Sequence, residues 1–258
     1  MTTKPPVFYF LIQVRFNRVT QMQQHVPAFQ EALRRDGFAD FSEEAQVEIA
    51  WQHGGDGQQA VQETHRKRWL FSDMDRKAGF VLLEDALVFH TTAFTCFSEC
   101  KALVLKALAK LDAELDLNFV QRVGMRYLDQ VAVENLQGLN TLLHPGLLGL
   151  TGDVSGELRH AYSETVSVVD GLTLVLKSFV SPGGFMLPPD LQGNALVFPK
   201  ELVQNASPQV VMDSDCYVEK RFAFEMDAIS EHLDRLHEQL LSLFERVTTP
   251  QARQLWQL

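Results

Sequence analysis

Hydrophobic and polar positions follow the period of a strand, then that of a helix, and this succession runs twice along the chain. Val7-Phe-Tyr-Phe-Leu-Ile-Gln-Val-Arg-Phe16 is rich in aromatic and β-branched residues and follows Pro5-Pro6, which predicts a strand. Its second part alternates, with Ile12, Val14 and Phe16 on one face and Gln13, Arg15 and Asn17 on the other. A helix is expected from about Val26 to Arg35, with Pro27 in its first turn, an apolar stripe of Phe29, Ala32 and Leu33, and Gly37 at its end. Strand-like runs follow at Gln46–Trp51, Lys67–Phe71, Gly79–Leu83 and Leu87–Thr91, with Glu84-Asp85 as a short hairpin turn. From Thr95 to Leu115 the period becomes helical: Phe97, Cys100, Val104, Leu108, Leu111 and Leu115 recur at intervals of three or four.

The succession then restarts. Phe119 to Val133 reads as a strand, and its Arg126-Tyr-Leu-Asp-Gln-Val131 echoes Arg15-Phe-Asn-Arg-Val19 with one residue inserted. A short helical stretch at Leu136–Leu143 stops near Pro145, and strands are expected at Leu158–Val169, Leu172–Ser181 and Asp213–Phe224, the first two joined by an Asp170-Gly171 hairpin. A second long helix closes the chain from Asp227, its expected N-cap, to about Val247, with Ile229, Leu233, Leu236, Leu240, Leu243, Phe244 and Val247 along one stripe and Pro250 beyond its end. The pattern predicts an α+β protein of two tandem similar halves, 1–117 and 118–258, each an antiparallel sheet covered by a long amphipathic helix and the two packed as one compact body. The segment Pro182 to Pro208 interrupts the second half as a long irregular connection carrying the apolar Phe185, Met186, Leu187, Leu196, Val197 and Phe198. It reads either as a covering loop or as a partner-binding surface.

Composition narrows the class. Of 258 residues, 46% are hydrophobic and 22% charged, the profile of a soluble folded chain. No apolar run reaches the roughly 18–20 residues that cross a bilayer, so no membrane partner is expected. Three cysteines make no disulfide framework, and free thiols in the cytoplasm are expected. With 23 basic against 33 acidic residues the net charge is −10, which argues against direct nucleic-acid binding except through a local basic patch. His65-Arg66-Lys67-Arg68 is the one candidate, partly neutralised by Asp73 and Asp75.

No catalytic signature stands out: a G-x-S-x-G elbow, a G-x-x-x-x-G-K loop and an H-E-x-x-H helix are all absent from the sequence. Gly54-Gly55-Asp56-Gly57 and the glycines at 146, 149 and 152 read as turns. Cys96 and Cys100, four apart on a helix, have a metal-compatible spacing, yet Cys100 sits in the apolar stripe and no third ligand is near; no metal and no cofactor are expected. His232 and His237 are about 140° apart around the last helix and cannot face one ligand together; His237 reads as a hydrogen-bonded residue at the edge of the core. Asp213-x-Asp215 and Asp73-x-Asp75 each place two carboxylates on one face of an extended backbone, where they could hold a cation or need no role at all. Arg122 and Arg126 share one side of the central strand, with Gly124 between them and Tyr127 adjacent. Their guanidinium groups could receive a carboxylate or phosphate, or pair with the protein's own acids.

The opening strand Val14-Arg-Phe-Asn-Arg-Val19, Trp69-Leu-Phe71 with Asp73 and Asp75, Arg122-Val-Gly-Met-Arg-Tyr-Leu-Asp129, Asp213-Ser-Asp215, and Leu236-His237 followed by Phe244-Glu-Arg-Val-Thr248 occur in that order. In these motifs the chain resembles a sporadically distributed bacterial protein family marked by a central R-x-G-(L/M)-R-Y-(I/L)-(N/D) motif and a C-terminal Leu-His helix. Asp129 stands where that family more often has asparagine, and Met125 where it more often has leucine. The resemblance implies a cytoplasmic bacterial protein without established catalysis, of the patchy distribution typical of phage-defence or toxin–antitoxin-like operons.

The leading expectation is a non-enzymatic accessory protein that binds a protein partner, and a homodimer is compatible with it. The alternative is a sensor or enzyme for a small anionic ligand held between sheet and helix. The residues expected to bind ligand or partner are Trp69, Arg122, Arg126, Tyr127, Asp129, Phe185 and Met186.

Overall fold

Aromatic and β-branched runs lead the chain into strands, and the architecture follows from how those strands pair. The computed structural model describes residues 6–53, 59–191 and 195–257, for 46–53 and 59–66 the backbone alone. The first half holds β1 (Val7–Phe16), α1 (Met22–Arg35), β2 (Asp40–His53), β3 (Gln59–Ser72), β4 (Ala78–Leu83), β5 (Ala86–Thr91) and α2 (Phe97–Leu115). Then come β6 (Phe119–Ala132), α3 (Leu139–Leu142), β7 (Ala161–Val169), β8 (Leu172–Ser181), α4 (Lys200–Val203), β9 (Gln209–Ala223), α5 (Met226–Val247) and α6 (Pro250–Trp256). The fold is α+β.

Strands from both parts of the chain join in one antiparallel sheet of nine strands among the described residues, ordered β2-β3-β4-β5-β1-β6-β9-β8-β7. Its centre is the β1–β6 pair, in which Ile12 faces Met125 and Val14 faces Val123. Alternation sends Phe10, Ile12, Val14 and Phe16 of β1 and Val123, Met125 and Tyr127 of β6 to one face. That face is closed by α1, α2 and α5 through Phe29, Leu33, Leu108, Leu111, Leu233 and Leu236. Lys101 of α2 donates to both carboxylate oxygens of Asp234 on α5, at 2.6 and 2.7 Å. Lys106 and Lys110 of α2 reach Asp36 at the end of α1, at 2.8 and 2.6 Å.

The segment 182–208 covers one end of the opposite face. Leu191, Leu196 and Leu202 are buried there with Phe8, Tyr9, Leu128 and Val211, and Phe185, Leu187 and Phe198 pack against them. Its path is fixed to the first half by Val197 N donating to the Arg76 carbonyl (2.7 Å) and by the Thr92 hydroxyl donating to the Val197 carbonyl (2.8 Å).

Local chemistry explains where boundaries move. Helix α1 starts at Met22, four residues before the expected Val26, because the fully buried Met22 anchors an extra turn; Pro27 thus lies inside the helix rather than in its first turn. Glu225 is the N-cap of α5, and Asp227 falls in the first turn, where its charge faces the positive end of the helix dipole. Pro250 opens a further helix: the Thr249 hydroxyl caps α6 by accepting from Ala252 N at 3.1 Å, and Trp256 is buried against a second apolar cluster with Leu139, Leu142 and Met212. The Asp170-Gly171 hairpin turn has positive φ at both residues, 50° and 77°, as a tight two-residue connection requires. The expected turn at residues 54–57 lies outside the described residues. Among the described residues no helix is long and apolar enough to cross a membrane.

The stripe of α5 carries a direct test. Leu236 is fully buried, so Leu236→Ala is expected to lower unfolding free energy by about 2–5 kcal/mol in urea titration. Val154→Ala, at a position 49% exposed, is expected to stay within about 0.5 kcal/mol of the parent.

Candidate functional site

Toward the end of β6 the inward positions turn from apolar to polar. After Val123 and Met125 come Tyr127 and Asp129, with Val7 of β1 opposite Asp129 and Ser214 of β9 opposite Tyr127. Ser214 is small where its inward neighbours on β9 are Met212 and Cys216, so the layer between sheet and α5 is left unfilled. The result is a pocket of about 520 Å³, partly open to solvent. Its walls are Pro6, Val7, the β5–α2 connection at Thr92, Ala93, Phe94 and Thr95, the strand residues Tyr127, Asp129 and Ser214, and His237, Leu240, Leu241 and Phe244 of α5. Volume and mostly apolar lining match a small-molecule site.

Three titratable groups face this space. The Tyr127 hydroxyl lies 3.0 Å from His237 Nδ1, and the His237 ring stacks on Phe97 with centroids 4.1 Å apart. Burial pushes the Tyr127 phenol well above its ordinary range and holds His237 below its ordinary value. Near neutrality the phenol therefore keeps its proton, and the neutral imidazole can accept it at Nδ1 when its own proton is on Nε2. Asp129 is 2% exposed, and its Oδ1 has no hydrogen-bond partner among the described residues. Burial alone pushes its carboxyl up to about 7.

His237 is thus oriented by Tyr127 and not by Asp129. Ser214, His237 and Asp129 line one pocket without the hydrogen-bonded relay that a nucleophilic triad requires. Among the described residues no three histidines, cysteines or acids are grouped to hold a metal ion. The three cysteines are free; Cys96 stands at the N-cap position of α2 without a side-chain capping bond, while burial pushes the Cys100 and Cys216 thiols up to about 12.

The arginines lie on the opposite face of β6, away from Tyr127. Arg126 binds both carboxylate oxygens of Asp213 at 2.7 Å each and is gripped from the covering segment by Asp190. Arg122 donates to Gln13 Oε1 at 2.5 Å, sits 3.6 Å from Asp215, and lies over the Tyr217 ring at 4.2 Å from its centroid. Both guanidinium groups are engaged by the protein's own side chains. The Asp213-x-Asp215 pair serves these contacts. Trp69 is in the core, its indole N–H donating to Glu43 at 3.2 Å, and Phe185 packs edge-on against Phe8 at 5.3 Å, with Met186 half-buried beside it in sequence. In the basic run, Lys67 pairs with Glu43 and Arg68 with Glu44; the side chains of His65 and Arg66 lie outside the described residues.

Of the expected binding residues, the structure brings Tyr127 and Asp129 together in the pocket and places Arg122, Arg126, Trp69, Phe185 and Met186 elsewhere. His237 was legible as a core-edge hydrogen-bonding residue. Ser214 was missed, although a serine at an inward position between Met212 and Cys216 is a sign of missing volume. The chain matches no protein-family model, no curated protein and no solved structure.

Two predictions follow from these environments. Asp213→Ala leaves the largely buried Arg126 without its bidentate partner and is expected to cost about 3–5 kcal/mol in urea unfolding, whereas Asp190→Ala, at a carboxylate 60% exposed, is expected to cost about 1 kcal/mol or less. Asp129 has a folded-state value of about 7 against an ordinary 3.8, so the native state holds its proton more tightly than the unfolded state. Its contribution is fully present below about pH 4 and is lost as pH rises through 7. Asp129→Asn should therefore be more stable than the parent at pH 8, by at most about 4 kcal/mol, with the difference shrinking toward pH 5. Tyr127 and His237, the other titratable groups facing Asp129, are common to both proteins and cancel in the comparison.

Proposed function

We propose that this protein binds a small molecule in the pocket between α5 and the centre of the sheet. One observation carries the reading: a pocket of about 520 Å³ with mostly apolar walls is lined by the buried Asp129, whose Oδ1 has no hydrogen-bond partner among the described residues. An unpaired buried polar atom costs about 1–3 kcal/mol, and a ligand group is what would relieve it. Binding rather than catalysis is the reading because the Ser214 hydroxyl, the His237 imidazole and the Asp129 carboxyl are not linked into a relay. Arg122 and Arg126, engaged by the protein's own side chains on the opposite face of β6, have no part in this pocket reading, which keeps the layer between sheet and helix.

A second reading has its own observation. Strand β7 is an edge strand, and Tyr162, Val166 and Val168 stand exposed along one of its faces. Such an edge can accept an extended segment of a partner protein as a tenth strand, which supports the accessory-protein role implied by the family resemblance. The central pairing of β1 with β6, each followed by a helix, further strands and a long helix, supports an origin in two tandem copies of one unit. Three free cysteines support a cytoplasmic location.

The neutral fluorophore N-phenyl-1-naphthylamine tests the first reading. Its emission is expected to rise saturably at one molecule per chain, and Leu241→Trp, which narrows the pocket from a half-exposed position on α5, should reduce that binding about tenfold or more. Absence of saturable binding, or binding unchanged in the variant, would overturn it.

A further inference from the structure

Resting on the pocket reading, we propose that the ligand is an organic amine: an ammonium group that pairs with the Asp129 carboxyl, carried on an apolar body lodged between Phe94, Tyr127 and Phe244.

The pocket's charges point to this class. Among the described residues its walls contain a single carboxyl, no lysine and no arginine, so none of them balances an ionised Asp129. His237 does not supply the charge, because burial favours its neutral form and its Nδ1 is taken by Tyr127. An anionic ligand would meet an uncompensated acid in a dry site. Asp129 Oδ1 has no partner among the described residues, and in either protonation state the carboxyl presents at least one oxygen that can accept from a ligand donor. An ammonium group is the strongest donor a small molecule can bring, and its bonds to carboxylate are roughly twice as strong as neutral ones.

The aromatic walls fit the same group. Phe94 and Tyr127 meet edge to face, centroids 5.5 Å apart at 83°, forming a corner beside the carboxyl in which ring faces can stabilise a cation. Leu240, Leu241 and Phe244 of α5 extend the apolar wall outward and suit a hydrocarbon body. On binding, whatever fraction of Asp129 is still protonated gives up its proton to solvent, and the carboxylate pairs with the incoming ammonium. The titratable groups facing it are Tyr127 from β6 and His237 from α5, both uncharged near neutrality.

Three probes with one tail and different heads decide the matter: octylamine, 1-octanol and octanoate, each titrated at pH 7.5 by displacement of N-phenyl-1-naphthylamine and by calorimetry. Octylamine should bind about tenfold or more tighter than octanol, octanoate weakest of the three. Calorimetry in buffers of different ionisation enthalpy should show release of a fraction of a proton at pH 7.5 and a larger fraction at pH 6.5. In Asp129→Asn the preference for octylamine over octanol should fall to within about twofold, read as a ratio in which any change of the fluorophore's own affinity cancels. Leu241→Arg, at an exposed pocket position that leaves the core intact, should weaken octylamine several-fold and strengthen octanoate. Octanol or octanoate binding as tightly as octylamine, or an amine preference that survives Asp129→Asn, would overturn the proposal while the fluorophore still binds. Failure of the fluorophore itself would overturn the pocket reading beneath it.

Discussion

The antiparallel pairing of β1 with β6 is the constraint on which the rest depends. It joins segments more than a hundred residues apart, welds the two parts of the chain into one sheet, and sets which side chains of the central strands face the helices. Because the side-chain period of a strand is two, a shift of one residue would exchange the faces, burying Arg122 and Arg126 under α5 and exposing Val123, Met125 and Tyr127. The cost of burying two guanidinium groups in an apolar layer makes that alternative untenable. Register is thus fixed by opposite solvation demands on alternate residues of one strand.

The two faces solve desolvation differently. On the face away from the helices, partly buried charges are matched: Arg126 with Asp213 and Asp190, Arg122 with Gln13, Asp215 and the Tyr217 ring. On the helix face the polar groups are few, and Tyr127 and His237 satisfy one another while Asp129 Oδ1 has no partner among the described residues. A site held by matched charges is closed chemistry that stabilises or positions. An unmatched carboxyl beside an empty apolar volume is open chemistry.

Much of this fold could be read from the chain because its signals are local. The alternation in β1, the stripe from Phe97 to Leu111 and the Leu233–Leu236–Leu240 face of α5 are periodicities that burial enforces. The Asp170-Gly171 turn is equally local, since glycine tolerates the positive φ it adopts there. What was not legible was non-local. No pattern in β9 says that Asp213 will meet Arg126 or that Asp190, in an irregular segment, will swing over to join it. The pocket was anticipated in its layer, between sheet and helix, but its polar contacts were sought at the arginines. Charge draws attention to a strand's wet side, whereas this pocket arises from missing volume at Ser214 and a carboxyl that burial leaves partly protonated near neutrality.

The ionisation of Asp129, followed by ¹³C NMR of its side-chain carboxyl, measures the central claim most directly. The account predicts a midpoint near 7 in the ligand-free protein, and a fall of about one unit or more on saturation with octylamine, as a cation pairs with the carboxylate. A midpoint near the ordinary 3.8, unmoved by the amine, would mean that water or protein already satisfies Asp129, and would contradict it.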